Sequence, residues 1–279
     1  MTNISLAILD KTGQVKLGKN DYEEERRLLQ IVGEDFVDLA TQEFYYEDGD
    51  VIRIEVEKKD VYLVAKLDET LDTTLIYLKD HVWEYKVDMT ENAREARPEQ
   101  RFASKRHYLS VRVATTVEAE MYRNLAFNPH DQKESNGAYP HAFANVETRN
   151  DATFFACNAI DGVYGNLSHG SYPYQSWGIN QQSNAALTVD FGREVALDKV
   201  IFTFRADFPH DNYWEEVCLT FSDGSKESFA TVKTARSQTF SFEKRTTSSV
   251  VFSHLKQAED PSPFPALTEI ELFGNNILE

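Results

Sequence analysis

Apolar and polar residues alternate with a period of two in short segments, and this pattern constrains the fold more than any other feature of the chain. Residues 50–57 read Asp-Val-Ile-Arg-Ile-Glu-Val-Glu and follow a turn that ends in Asp-Gly-Asp. Further segments of this kind occupy residues 61–67, 74–78, 82–87 and 107–114. Because successive side chains of a strand point to opposite faces of a sheet, each segment predicts a half-buried β-strand.

Two segments of the first half depart from the alternation. Residues 20–23 place a polar cap before acidic residues, apolar residues occur within 28–32, and Gly33 is a stop signal. Together they predict a helix over residues 20–33. Strands are the alternative, because the apolar residues just downstream fit strands equally well. Residues 88–106 are rich in Glu, Arg and Asn and contain a proline, which predicts a long solvated loop.

The second half of the chain contains strand patterns at short spacing. They occupy residues 187–192, 199–205, 216–222, 227–232, 238–243, 248–253 and 268–273. Ser-Asp-Gly-Ser at residues 222–225 is a strong hairpin signal between two of them. Seven short strands joined by turns indicate a β-sandwich. We therefore predict an N-terminal β-sandwich-like domain over residues 1–115 and a second domain over residues 118–279.

Charge and cysteine usage limit the partners of the chain. Its formal net charge of −17 at pH 7 argues against nucleic acid, which would meet a repulsive field. No apolar run approaches the length of a transmembrane span, and the N-terminus lacks the basic and apolar regions of a signal peptide. Cys157 and Cys218 lie in apolar contexts typical of reduced thiols. We expect a cytoplasmic protein without a nucleic-acid partner or a membrane span, and its oligomeric state stays open.

Six motifs of the second half follow one another in an order that resembles a known fold family. They are Arg123–Ala126, Ala156–Gly162, Ser176–Trp177, Leu187–Gly192, Phe221–Ser225 and Thr268–Gly274. Over residues 118–275 their order and spacing resemble the discoidin-like, galactose-binding-like β-sandwich of coagulation-factor C-type domains and bacterial carbohydrate-binding modules. The resemblance and the strand pattern of the first half imply an all-β protein of two jelly-roll-like β-sandwich domains, the C-terminal one galactose-binding-like.

The resemblance also implies a structural Ca²⁺ beside an Asp-Gly turn. Carried over by position, the ligands are the side chains of Asp161 and Glu269 and backbone carbonyls around Asn158 and Asn166. Such hard oxygen ligands suit Ca²⁺. The sequence departs from the family pattern at Val163, where a second Asp or Asn is common, and in a longer loop that follows. The alternative makes Asp161 a turn residue, hydrogen-bonded to its own backbone.

Two loop segments carry the side chains that sugar recognition needs. A pyranose lays its C–H face on an aromatic ring, while a few fixed polar groups bind its hydroxyls. Residues 205–214, which directly follow a predicted strand, and residues 168–177 supply both kinds of side chain. The predicted ligand-binding residues are Arg205, Asp207, His210 and Trp214, with His169, Tyr172 and Tyr174 as a second wall.

The two tryptophans of these segments have different interpretations. Trp177 corresponds to a tryptophan that is usually a core anchor in the family, and we predict the same role for it. Trp214 follows Pro209 and the dipeptide Asp211-Asn212, which imply an exposed turn. We therefore predict that Trp214 contacts the ligand, with a core position as the alternative.

Together these features predict a non-catalytic protein that binds a carbohydrate through loops at one end of the C-terminal sandwich. Members of this fold bind lipids, proteins or sugars, so fold alone does not define the ligand. One alternative is a glycoside hydrolase or sugar isomerase that uses Asp207, His210 or Asp211 as acid and base. The other is a protein–protein interaction module with an exposed apolar patch.

Overall fold

A computed structural model describes residues 1–278 of the chain and divides it into two compact units. The first unit comprises Met1–Ala119 together with Ser135–Tyr139. The second comprises Glu120–Glu134 together with the described residues from Pro140 onward. Both units are built almost wholly from antiparallel strands, which confirms the predicted all-β fold class. None of the helices in residues 1–278 has the length and apolar character needed to cross a bilayer.

The first unit contains two principal sheets. Its strands are β1 (Asn3–Leu9), β2 (Leu17–Gly18), β3 (Arg27–Leu28), β4 (Gln30–Glu34), β5 (Phe36–Thr41), β6 (Val51–Val56), β7 (Val61–Lys66), β8 (Thr74–Leu78), β9 (Val82–Lys86), β10 (His107–Val113) and β12 (Ala138–Tyr139). One sheet has the order β4-β1-β6-β9 and the other β12-β8-β7-β10-β5, while β2 and β3 pair by themselves. The core draws apolar side chains from both sheets, so the unit is a β-sandwich.

The alternation of the sequence accounts for this core. In β6 the side chains of Ile52, Ile54 and Val56 are buried, and in β7 those of Leu63 and Ala65 are fully buried. The residues between them in each strand are partly or fully exposed. A strand of period two thus supplies one apolar face to the space between the sheets. The predicted strands of the first half are confirmed to within about one residue at each end.

The predicted helix over residues 20–33 is wrong. Residues 27–28 and 30–34 form strands β3 and β4, and β4 pairs with β1 with Ile31 opposite Leu6. The apolar residues of this segment share no helical stripe: Leu29 is fully buried, whereas Leu28 and Val32 are 55% and 64% exposed. Pairing with β1, a core strand, provides backbone hydrogen bonds that outweigh the weak local preference for a helix.

Two short helices occur in the described chain. Helix α1 (Glu91–Glu95) lies within the predicted loop 88–106 and begins at Thr90, whose hydroxyl accepts a hydrogen bond from the amide of Ala93 at 3.3 Å. Helix α2 (Thr116–Glu120) begins with a reciprocal cap, in which the Glu118 carboxylate accepts from the Thr115 amide at 2.8 Å.

The second unit is one sheet that wraps around its own core. Its strands are β11 (Arg123–Asn124), β13 (His141–Ala144), β14 (Trp177–Gly178), β15 (Leu187–Phe204), β16 (Trp214–Phe221), β17 (Lys226–Ala230), β18 (Gln238–Gln257) and β19 (Ala266–Asn276). The order is β11-β19-β15-β18-β16-β17, with β13 beside β15 and β14 beside β19. Three 3₁₀ turns, Thr148–Asn150, Ala152–Phe154 and Ala156–Ile160, precede β14.

Two pairs of short strands predicted in the second half each form one long, bent strand in the structure. The segments 187–192 and 199–205 belong to β15, and 238–243 and 248–253 belong to β18. Their pairing contains register shifts between Asp190 and Val195 and between Leu197 and Lys199. Such bulges bend and twist a strand, so the same strand contributes to both sides of the core. The sequence pattern marks only the straight halves, because the alternation fails at the bends.

Trp177 is a core side chain, as predicted. It is fully buried, and its indole Nε1–H donates to the carbonyl of Val146 at 3.0 Å. Its ring packs edge-on against Phe252 at 6.2 Å between centroids. Because β14 pairs with β19, this residue ties the loop before it to the sheet.

Candidate functional site

Loops of the second unit surround a cavity of about 360 Å³, which we call the loop cavity. Its walls come from five segments of the chain, which contribute Thr148, Arg149, Phe154, His169, Gly178, Ile179, Asn180, Gln181, Arg205, His210, Phe264, Pro265 and Ala266. The cavity therefore lies where β14 and β15 end and β19 begins. A rigid sheet with polar loops at the ends of its strands is a common setting for a ligand site.

Arg205 holds two of these loops together. Its side chain is buried, and Nε donates to the carbonyl of His210 at 3.3 Å while an Nη donates to the carbonyl of Phe264. Burial lowers the pKa of the guanidinium, and the negative charge of Asp207 acts in the opposite direction. Because arginine stays protonated in proteins, Arg205 also places a fixed positive charge at the cavity wall.

Three side chains converge at the rim of the loop cavity, and we call them the His–Asp–His cluster. His169 Nδ1 contacts Asp207 Oδ2, and His210 Nδ1 lies 3.8 Å from the same oxygen. The two imidazole rings are 5.0 Å apart between centroids and nearly perpendicular, at 78°. Both histidines line the cavity. The structure thus brings together four of the predicted site residues, with Arg205 as the fourth.

An aromatic side chain completes one wall of the cavity. Phe264 is 41% exposed, and its ring lies 6.0 Å from that of His210 between centroids. Phe154 also lines the cavity but is only 6% exposed. An exposed phenyl face beside polar groups is the surface that the C–H face of a pyranose can cover.

Trp214 does not contribute to this wall, which corrects the exposed position predicted for it. The residue is fully buried at the start of β16, and its ring packs against Phe204 at 5.3 Å and Phe252 at 5.7 Å between centroids. The turn of Pro209 and Asp211-Asn212 is completed before Trp214, which takes an inward-facing position of the strand. Its indole belongs to the core, the alternative stated above.

Tyr172 and Tyr174 lie in the same loop as His169 but outside the lining of the cavity. Tyr172 is 41% exposed, and the amide of Tyr174 donates to the carbonyl of Ser171 at 3.1 Å, within a local turn. Of the predicted second wall, only His169 faces the cavity.

Asp211 faces a different part of the surface. Its carboxylate lies 3.2 Å from Lys233 Nζ, and both residues line a second cavity of about 270 Å³. Asp207 instead engages the two histidines of the cluster. Asp207 and Asp211, two of the three residues named for the enzymatic alternative, therefore have different charged neighbours.

Several residues of the loop cavity escaped the sequence-based prediction. Thr148, Arg149, Asn180 and Gln181 line it together with Phe264. The amide of Asn180 donates to Thr148 Oγ1 at 3.0 Å, which joins two segments that lie 32 residues apart in the chain. Arg149, Asn180 and Gln181 have φ values of 54°, 48° and 58°. Turn-forming Asn residues were a usable signal, but no spacing in the sequence connects them.

The residues implied for Ca²⁺ include a buried carboxylate, that of Glu269. Glu269 is fully buried, and its carboxylate oxygens accept hydrogen bonds from the amide of Gly162 at 3.2 and 3.3 Å. Asp161 accepts from the amide of Val163 and from Gln175 Nε2, both at 2.8 Å. Burial raises the pKa of Glu269 well above its ordinary value, and the charge of Asp161 adds to this shift. Within residues 1–278 no Lys, Arg or His forms an ion pair with Glu269.

The chemistry of this neighbourhood fits a hard cation. Gln175 Oε1 is buried and has no hydrogen-bond partner among the described residues. The side-chain amides of Asn158 and Asn166 donate to the backbone carbonyls of Ala152 and Phe204, respectively. The backbone carbonyl of Asn166 already accepts from the amide of Ala206 at 2.8 Å, and its second lone pair is what remains for an ion. Two adjacent carboxylates, one of them without a cationic partner, together with oxygen donors form a set that suits Ca²⁺.

Comparison with known proteins gives the following matches. No protein-family model matches the sequence, and no curated protein matches it. The solved structures that match include carbohydrate-binding, fucose-binding and lectin modules.

Three of the matching structures are 15–19% identical to this chain. The family 32 carbohydrate-binding module of C. perfringens NanJ, in complex with galactose, is 15% identical, with a TM-score of 0.37 over 47% of this chain and 91% of the module. Chitosan-binding module 1 of a Paenibacillus sp. IK-5 chitosanase/glucanase is 19% identical, with a TM-score of 0.38 over 54% and 98%. A Streptococcus pneumoniae fucose-binding module is 15% identical, with a TM-score of 0.40 over 55% and 98%.

Proposed function

We propose that the protein binds a carbohydrate, without catalysis, in the loop cavity of its second unit. The observation that carries the proposal is the cavity itself, where the exposed face of Phe264 lies beside the polar groups of His169, His210 and Asn180. An apolar face with a few fixed polar groups is what a pyranose requires. The proposal rests on these residues of the chain.

The size and chemistry of the cavity define the class of ligand. A volume of about 360 Å³ lies at the small end of the range of ligand cavities and suits one or two sugar rings. Histidine, asparagine and glutamine side chains both donate and accept hydrogen bonds, as sugar hydroxyls do. Arg149, which is exposed at the rim, adds N–H donors for a carboxylate or a ring oxygen of the sugar.

We also propose that Ca²⁺ stabilises the base of the loops next to this cavity. Asp161 and Glu269 would hold it with their carboxylates, and Asn158 and Asn166 with their backbone carbonyls. When bound, the ion supplies positive charge that neutralises the two carboxylates. The support is the fully buried Glu269, whose carboxylate otherwise has one backbone amide as its donor. In this role the ion is structural and contacts no sugar.

A glycan array, followed by calorimetric titration of any sugar that binds, tests the proposed function. The informative variant is Phe264→Ala, which removes the exposed ring but keeps the backbone carbonyl that Arg205 binds. The matched control is Phe208→Ala, because Phe208 is 83% exposed and lies outside the lining of the cavity. We expect Phe264→Ala to weaken binding at least tenfold and Phe208→Ala to leave it unchanged. Failure to bind any glycan, or equal affinity of both variants, would contradict the proposal.

A further inference from the structure

The His–Asp–His cluster has an arrangement that hydrogen bonding alone does not explain. His169 and Asp207 are 38 residues apart in the chain, and both histidines direct Nδ1 toward the same carboxylate oxygen. The contact of His169 with Asp207 is a hydrogen bond. His210 Nδ1, at 3.8 Å, is too far from that oxygen for a hydrogen bond but still faces it.

The three ligand atoms are close enough to share one ion. His169, Asp207 and His210 each offer one donor atom, and these atoms all lie within 4.8 Å of one another. In a tetrahedral zinc site, bonds of about 2.0–2.2 Å to nitrogen and oxygen place the ligand atoms about 3.3 Å apart. The 3.8 Å between His210 Nδ1 and Asp207 Oδ2 exceeds that value by about 0.5 Å, and rotation of the half-exposed imidazole can close the difference.

The backbone holds two of the three donors in place. The amide of His210 donates to the carbonyl of Asp207 at 2.5 Å, which closes a tight turn with both side chains on one side. Arg205 Nε then donates to the carbonyl of His210, so a buried side chain supports the turn. Only His169 comes from another loop. A prearranged turn reduces the conformational entropy that binding an ion costs.

From this geometry we propose that His169 Nδ1, the Asp207 carboxylate and His210 Nδ1 bind one divalent transition-metal ion of the zinc class. Two imidazoles and one carboxylate are a donor set that such ions prefer, whereas Ca²⁺ and Mg²⁺ prefer oxygen alone. The site is therefore distinct in chemistry from the carboxylates of Asp161 and Glu269. Three protein ligands leave a tetrahedral ion one further position, at the rim of the loop cavity that both histidines line.

Calorimetric titration of zinc chloride into the metal-stripped, untagged chain tests the site. We expect one Zn²⁺ per chain and at least tenfold weaker binding for His169→Ala and for Asp207→Asn. The matched control is His254→Ala, which removes an exposed histidine that contacts Lys226 at 3.4 Å. Thermal unfolding without metal verifies that each variant is folded, and His169→Ala, at a half-exposed side chain, is the variant expected to keep the stability of the wild type.

The outcomes separate this proposal from the other two. If Glu269→Gln leaves Zn²⁺ binding unchanged, the zinc site is separate from the carboxylates of Asp161 and Glu269 that we propose for Ca²⁺. This titration is carried out without any sugar. No binding of Zn²⁺ by the wild type, or equal binding by wild type and His169→Ala, would overturn the proposal. Either result would leave the titration of glycans as an independent measurement.

Discussion

The guanidinium of Arg205 donates a hydrogen bond to the backbone carbonyl of Phe264, 59 residues further along the chain. This contact attaches the segment before β19 to the end of β15, and it sets the position of the exposed phenyl ring at the cavity wall. The second bond of the guanidinium, to the carbonyl of His210, fixes the turn that carries the His–Asp–His cluster. One buried side chain thus positions both walls of the loop cavity.

Replacing this arginine is therefore expected to lower both stability and affinity. Arg205→Met keeps much of the apolar stem but leaves two carbonyls without their donor, which costs about 2–4 kcal/mol in the free energy of unfolding. Urea denaturation measures this loss. Arg205→Lys is the informative comparison, because an ammonium group does not reproduce the fork of donors that reaches two carbonyls. A stability equal to wild type in both variants would show that the contacts do not hold the loops.

Trp214 is expected to affect stability, with no direct effect on the sugar. Its ring fills a fully buried space between Phe204 and Phe252. Trp214→Ala should cost about 3–5 kcal/mol in the free energy of unfolding, and Trp214→Phe should cost less, because a smaller cavity remains. Folded Trp214→Phe should bind the selected glycan with the affinity of the wild type. A loss of affinity without a loss of stability would return Trp214 to the binding site.

Calcium is expected to raise the thermal midpoint of the wild type and to leave that of Glu269→Gln unchanged. A ligand that binds only the folded state stabilises it in proportion to the logarithm of its concentration above the dissociation constant. Differential scanning calorimetry with and without added Ca²⁺ measures the shift. Magnesium at the same concentration is the control, because it fits a site with many protein oxygens less well. Equal shifts in both proteins would exclude Glu269 as a ligand.

The same residue predicts a pH dependence in the absence of calcium. Burial raises the pKa of the Glu269 carboxyl above its ordinary value of 4.5. The folded state then favours the protonated form, so this stabilising contribution is full below about pH 4.5 and is lost as the pH rises through the raised pKa. At neutral pH without Ca²⁺, Glu269→Gln should therefore be more stable than the wild type. A less stable variant under these conditions would contradict the assignment.

The ion pair of Arg112 and Glu118 predicts the opposite sign. The guanidinium, together with the amide of Thr115, lowers the pKa of the Glu118 carboxyl to about 2. Its contribution is present above the ordinary pKa of 4.5 and is lost as the pH falls toward 2. Because both side chains are about one-third exposed, Glu118→Gln should cost no more than about 1 kcal/mol at pH 7. Denaturation at pH 7 and pH 3 measures the difference, which should shrink at pH 3.

The sequence predicted the strands and the all-β class because burial on one face imposes a period of two, as in β6 and β7. It failed over residues 20–33, where pairing with β1 overrides local preference, and at the bends of β15, where bulges interrupt the alternation. Arg205, Asp207, His210 and His169 could be grouped from the sequence because they lie in two loops with turn signals, and in the structure they are neighbours. Phe264 and Asn180 were missed, because their proximity depends on the pairing of β14 with β19.

The central claim is that a sugar binds in the loop cavity, and a titration followed by the backbone amide resonances of labelled protein tests it most directly. With a glycan selected on the array, we predict saturable shifts centred on the amides of Asn180, Gln181 and Phe264, with little change in strands β6 and β7 of the first unit. Shifts of the same size that centre on any other surface of the chain, with the amides around the loop cavity unmoved, would contradict the account.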